Sequence, residues 1–272
     1  MRNIIDEILE KKARNIPIRE WLEPSRPRWD LVSNRISRIG TIHQAIDLLE
    51  FVCHESAIEE MEGYDEMKNK IHVIQYSGVL NEISRYIPIG LIACIEAYFR
   101  QVYADLIDFG DPYKSNAADF SDIKFSIRTA ISLEKAELSI GDFISHLLPI
   151  SSFENIESTM TKLTGGSFSE ALQKEVENSN ELQQPEILMG DKEDYIRRGY
   201  LIISDNLVLP TSQKIHRDML STIKDVFELR HRLCHEASSI MPDRDDSIIS
   251  GATSSVLKFL VVSEAVVERM LS

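Results

Sequence analysis

A chain of 272 residues is long enough for one large domain or two small ones, and its 43% hydrophobic fraction supplies a core and excludes wholesale disorder. With only 11 Gly and 9 Pro it lacks the turn residues of a β-sandwich, and a net charge of −14 excludes non-specific nucleic-acid binding over the whole surface. Its 3 cysteines, Cys53, Cys94 and Cys234, have no paired spacing and fit a reducing compartment rather than a disulfide framework.

The first residues carry Asp6 and Glu7 where a signal peptide has its apolar run. The two most apolar stretches, 87–99 and 256–267, are interrupted by Glu96 and by Lys258 and Glu264, and neither reaches membrane-spanning length. A soluble, cytoplasmic protein is expected, with no membrane contact.

Residues 3–14 read as a short amphipathic helix, and Pro17 to Pro27 as a connector or extended arm. Charge is uneven here: from Lys11 to Arg38 there are 8 basic residues against 3 acids, so this segment is +5 and the remainder −19. Both tryptophans, Trp21 and Trp29, fall inside it. Two readings stand. Arg26, Arg28 and Trp29 can hold a phosphate backbone and stack a base of RNA; or the segment is a docking arm with packed tryptophans and solvated arginines.

Ile42, Ala45, Ile46, Leu49, Val52 and Cys53 recur at helical spacing, with the pattern continuing to Met61 and closing at Gly63. A second helix is expected from Pro88, a residue suited to a first turn, to 109. Leu91, Ile95, Tyr98, Val102 and Leu106 form one stripe, widened by Ile92, Phe99 and Tyr103. That breadth places it centrally in a bundle. Shorter helices follow over 119–132, 139–148, 152–163 and 167–176, each starting near a Ser or Asp suited to capping, with Gly165-Gly166 as a stop. Residues 177–191 read as a polar loop, and 200–203 with 207–209 as a small β-hairpin. A long helix over 211–238 and a last one over 249–271 complete an all-α bundle that pairs 88–109 with these two. Residues 1–40 form an N-terminal helix and basic arm, and 41–272 a helical domain with an inserted region at about 112–195.

The chemistry sits in Arg230-His231-Arg232-Leu233-Cys234-His235. At about 100° per residue, Arg230 falls within the apolar stripe of Ile215, Ile223, Val226 and Leu233, a costly position unless it is paired or faces a cleft. His231 and His235 stand one turn apart at the edge of that stripe. Glu96, at the edge of its own helix's stripe, is either a partner for Arg230 across the bundle or a half-exposed glutamate. The plain reading of the cations is that helix C-termini favour Arg and His, and that Arg232 with Glu236 is an ordinary i,i+4 pair. A zinc site at His231, His235 and Cys234 or Cys53-His54 lacks the glutamate and Cys spacings such sites use; no metal or cofactor is expected.

The segment resembles the Arg-polar-x-x-x-His motif of the HEPN superfamily, with Arg230 as the arginine, His231 as the polar residue and His235 as the histidine. The likeness covers the motif helix and, by general pattern, those at 88–109 and 252–271, including Ile95-Glu96-Ala97-Tyr98-Phe99-Arg100. It implies a helical bundle of HEPN type, often a homodimer, and a metal-independent endoribonuclease leaving 2′,3′-cyclic phosphate and 5′-hydroxyl ends. It also implies an antiphage or toxin–antitoxin setting with an antitoxin or activating partner. A catalytically silent HEPN interaction module is the alternative. On the catalytic reading His235 handles the proton, Arg230 clamps the phosphate and His231 orients one or the other.

Overall fold

The computed structural model describes residues 28, 32, 35–42, 66–120, 126–179, 182, 186–187, 192–198, 200–204, 207–235 and 246–272. Within these, 66–85, 128, 186–187, 192, 203–204, 207, 235 and 246–250 are described by backbone alone. The expected helix at 3–14, most of that at 42–61, and Arg26 and Trp29 lie outside the described residues.

The described part is largely helical. Its elements are α1 (Glu66–Phe109), α2 (Tyr113–Ala117), α3 (Ile127–Lys135), α4 (Ile140–Leu147), α5 (Phe153–Thr164), α6 (Phe168–Asn178), β1 (Glu186–Ile187), α7 (Lys192–Arg197), β2 (Tyr200–Ser204), β3 (Leu207–Pro210), α8 (Ser212–His235) and α9 (Asp246–Met270), with residues 35–42 helical ahead of them. Among the described helices none is long and apolar enough to cross a membrane.

α1 is the axis of the core. Leu91, Ile92, Ile95, Tyr98, Phe99, Val102, Tyr103 and Leu106 are all buried, so the broad stripe read from the sequence is covered on several sides. α8 contributes Ile215, Met219, Ile223, Val226 and Phe227, and α9 contributes Val256, Phe259, Leu260 and Val267. The two pack on each other and on α1, while α6 leans on both. Phe99 sits at the junction, with its ring centroid 5.9 Å from Phe168 and 5.6 Å from Phe259. Edge-on and tilted ring contacts of this kind add about 0.5–1.5 kcal/mol each beyond buried area.

Serine capping sets the short helices. Ser139 accepts from the backbone N–H of Asp142 at 2.9 Å, while the Asp142 carboxylate accepts from that of Ser139, a reciprocal capping box. Ser152 and Ser167 cap α5 and α6 through Asn155 and Glu170. Gly165 ends α5 at φ 72°, a left-handed residue where glycine carries no steric penalty.

Four boundaries differ from the sequence reading. α1 begins at Glu66 and runs through Pro88 rather than starting there. The backbone bond that proline forfeits is one among many in a 44-residue helix that buries Ile87 just before it and Leu91 and Ile92 in the next turn. Asp119 lies in a turn after the unanticipated α2, and Ser126 caps α3 instead, its hydroxyl accepting from Thr129 N–H. α2 is only 5 residues long and is held by distant partners: the Asn116 amide donates to the Leu163 carbonyl at 2.8 Å and the Tyr113 hydroxyl to Met270 at 2.6 Å. Finally, β1 falls within the expected loop at 177–191, and α7 follows it in a stretch given no element. β1 pairs antiparallel with β3, which also pairs with β2, so the hairpin is the larger part of a three-stranded sheet ordered β1-β3-β2.

α1 and α4 approach closely because Gly141 has no side chain. Its N–H donates to the Asp108 carboxylate at 2.9 Å, and a Cβ there would lie 2.7 Å from that carboxylate and inside contact distance of the Ala104 carbonyl. Gly141→Ala therefore forces backbone to move, and we expect a loss of about 1–3 kcal/mol in thermal denaturation. Gly166→Ala, with nothing within 4 Å of the added carbon, should be close to neutral in the same measurement.

Candidate functional site

α8 carries the motif over its last two turns. The same 3.6-residue period that buries Ile223, Val226 and Phe227 brings Arg230 back to the inner face, where α1 passes. Its Nη2 lies 3.8 Å from Glu96 Oε1, with the two side chains 33% and 31% exposed. At that separation the pair is a charge contact and not a hydrogen bond. Glu96 thus stands opposite Arg230, and the guanidinium remains only partly engaged and partly open to solvent.

Its neighbours diverge. His231 is exposed and Cys234 is exposed, while Arg232 is half-buried with a buried Nε that has no hydrogen-bond partner among the described residues. His235 is the last residue of α8, one turn beyond His231. Five residues at about 100° each set positions 230 and 235 about 140° apart around the helix, so one straight helix does not converge them. Cys53 and His54 lie outside the described residues. Among the described residues no group of three or more His, Cys, Asp or Glu side chains is placed to hold a metal ion.

No family model, curated protein or solved structure matches the chain.

Arg28 is neither on an RNA-facing arm nor solvated. It is buried, with Nε and Nη2 donating to the two oxygens of Glu264 at 3.2 and 3.1 Å and Nη1 donating to Asp105 at 2.6 Å. The Tyr98 hydroxyl donates to Glu264 at 2.8 Å. Burial alone would lower the guanidinium pKa, but the hydrogen bonds and charges of Glu264 and Asp105 outweigh it, and the net shift is upward. Burial, reinforced by the Glu264 charge, pushes the Tyr98 phenol well up. The physical reason for this placement is Glu264: a carboxylate on the buried face of α9 requires a partner cation, and a bidentate guanidinium meets that need. Val32 and Ile36 follow Arg28 into the core, so this end of the basic segment is part of the bundle.

Sequence reading missed this network and a second one. Glu157 on α5 accepts from the Ser169 N–H at 3.1 Å and from the Ser167 hydroxyl at 3.4 Å, at the start of α6. Burial lowers the pKa of His216 on α8, and the nearby Ser169 backbone opposes that shift. The sequence signal for both was a polar residue at a core phase of its helix, as at Glu264.

Proposed function

We propose that the chain is a metal-independent endoribonuclease of HEPN type, acting in a bacterial antiphage or toxin–antitoxin system. The observation that carries this is Arg230: a half-buried guanidinium at the end of a long helix, only loosely paired to Glu96 and followed by two histidines. A planar cation so placed can bind a phosphate bidentately without first breaking a strong ion pair. In the reaction an imidazole, assigned to His235, takes the proton of a ribose 2′-hydroxyl. The 2′-oxygen bonds to phosphorus, the P–O5′ bond breaks, and the 5′-oxygen leaves with a proton. The products are a 2′,3′-cyclic phosphate and a 5′-hydroxyl. Arg230 offsets the charge that builds on the phosphate, and His231 orients it.

The angular separation of positions 230 and 235 bears on assembly. A homodimer facing two motifs across a two-fold axis supplies the arginine of one copy beside the histidine of the other. The same separation also favours a second reading, a catalytically silent HEPN module that uses the bundle face for dimerisation or partner binding.

RNA cleavage in EDTA, comparing wild type with His235→Ala at matched melting temperature, separates them. Cleavage by wild type alone, with cyclic-phosphate ends, is the expected result. Equal cleavage by both proteins, or a strict requirement for added metal, overturns the assignment.

A further inference from the structure

The motif occupies one end of α8, and a basic edge leads to it from the other. Arg217, Lys224 and His231 recur at seven-residue spacing. Each seven-residue step drifts by only about 20°, so these positions stand within about 40° of one another along about 21 Å of helix. All three are exposed. His235 shares the angular position of Arg217 on the helix.

At its far end the edge meets the three-stranded sheet. The Arg217 guanidinium donates to the Arg198 carbonyl at 3.5 Å, and the Lys214 ammonium sits 4.8 Å from the Tyr200 ring centroid. Tyr195 packs edge-on to Tyr200 at 5.3 Å. The stretch Tyr195-Ile196-Arg197-Arg198-Gly199-Tyr200-Leu201 holds no acid, in a chain whose net charge is −14. Ile196, Arg197, Arg198 and Leu201 are exposed. Cations beside aromatic and apolar side chains are the means by which proteins hold single strands: phosphates on the cations, base faces on the rings.

We propose that this edge, from Arg197 and Arg198 through Arg217 and Lys224 to His231, is a track that guides single-stranded RNA to the motif. The proposal rests on the endoribonuclease reading and adds the form of substrate and its path. Acids border the track and one stands on it: Asp218 pairs with Lys214 and Arg217, Asp194 with Arg198, and Glu154 with Lys224 at 3.0 Å, while exposed Glu228 lies between Lys224 and His231, about 20° from the angular position of Arg217. In each pair at least one partner is well exposed to water, so the cation exchanges readily to a phosphate. The surrounding negative surface repels RNA elsewhere and confines it to this line. A flexible single strand can follow a 21 Å edge of one helix (about 14 residues of rise), whereas an A-form duplex is too wide to follow it closely.

The test measures binding of a fluorescently labelled, unstructured RNA oligonucleotide by anisotropy across a salt series. The background is the full chain carrying His235→Ala, which prevents turnover. Arg217→Ala with Lys224→Ala, and separately Arg197→Ala with Arg198→Ala, should each weaken binding by about tenfold. Each should also make the slope of log K against log salt shallower by about one to two. Lys135→Ala, exposed on α3, should change neither. Wild-type affinity and slope in both double variants overturn the track, as does tighter binding of duplex than of single strand. If wild type cleaves RNA, and the same double substitutions bind normally in the His235→Ala background and cleave like wild type in the His235-intact chain, only the track falls. If the track binds RNA but wild type never cleaves, only the enzyme reading falls.

Discussion

Arg28→Ala is expected to cost about 3–5 kcal/mol of stability, the range seen when one partner of a buried ion pair is removed. Thermal denaturation should show a shift on the order of 10 °C in a chain of this size. The magnitude follows from what remains after the change. Glu264 would keep the Tyr98 hydroxyl and lose both guanidinium bonds while still buried, and Asp105 would lose its 2.6 Å partner. The cost therefore comes mainly from a stranded carboxylate, not from lost contact area. Pairing Arg28→Met with Glu264→Gln removes the stranded charge, keeps an acceptor for Tyr98 and should recover much of the loss. A double variant as unstable as Arg28→Ala would mean that packing of the arginine stem, and not charge, dominates at this site. Because Arg28, Val32 and Ile36 enter the core together, truncation of the N-terminal segment through residue 36 should be still more damaging than the point change.

That network marks where sequence reasoning stops. The pattern of α1 was legible because periodicity is local: eight apolar residues over four to five turns can only face a core if other helices cover them. Ser139, Ser152 and Ser167 were legible for the same reason, since a cap and its acceptor are three residues apart. Arg28 and Glu264 are separated by 236 positions, and nothing local in either joins them. What the sequence did offer was half of the pair: an acid interrupting the apolar run 256–267, which required a cation from somewhere. α2 and β1 were illegible for a related reason. Each is too short for any period to appear, and each is held by distant partners, α2 by Leu163 and Met270 and β1 by β3. Pro88 shows the opposite error, in which a strong local signal for a helix start is overridden by burial on both sides of it.

The candidate site was legible in its residues and only partly in its geometry. The helical wheel put Arg230 on the inner face and left Glu96 as either its partner or a half-exposed glutamate; the carboxylate stands 3.8 Å from the guanidinium and is itself half-exposed. The wheel also sets positions 230 and 235 about 140° apart around the helix, and a single straight helix offers no correction for that. Assembly, and not local sequence, must supply convergence if the two act on one phosphate.

Arg230→Ala is accordingly the most informative change at the motif. As the phosphate clamp it should lower kcat/KM for RNA cleavage by about 10²–10³, the size of effect when one preorganised donor to a developing charge is lost. Stability should move little, because a part-exposed ion pair without a hydrogen bond is worth about 0–1 kcal/mol. Arg230→Lys tests the fork itself. An ammonium keeps the charge but cannot bind a phosphate bidentately, so most of the activity should stay lost. Glu96→Gln should leave the guanidinium freer and hold kcat/KM at or somewhat above the wild-type level. A purely structural Arg230 predicts the reverse order: a large melting shift on Arg230→Ala, substantial recovery on Arg230→Lys, and activity that tracks only the fraction of folded protein. Measuring kcat/KM and melting temperature on the same three variants distinguishes the two, since no single stability effect can make the lysine variant both well folded and inactive.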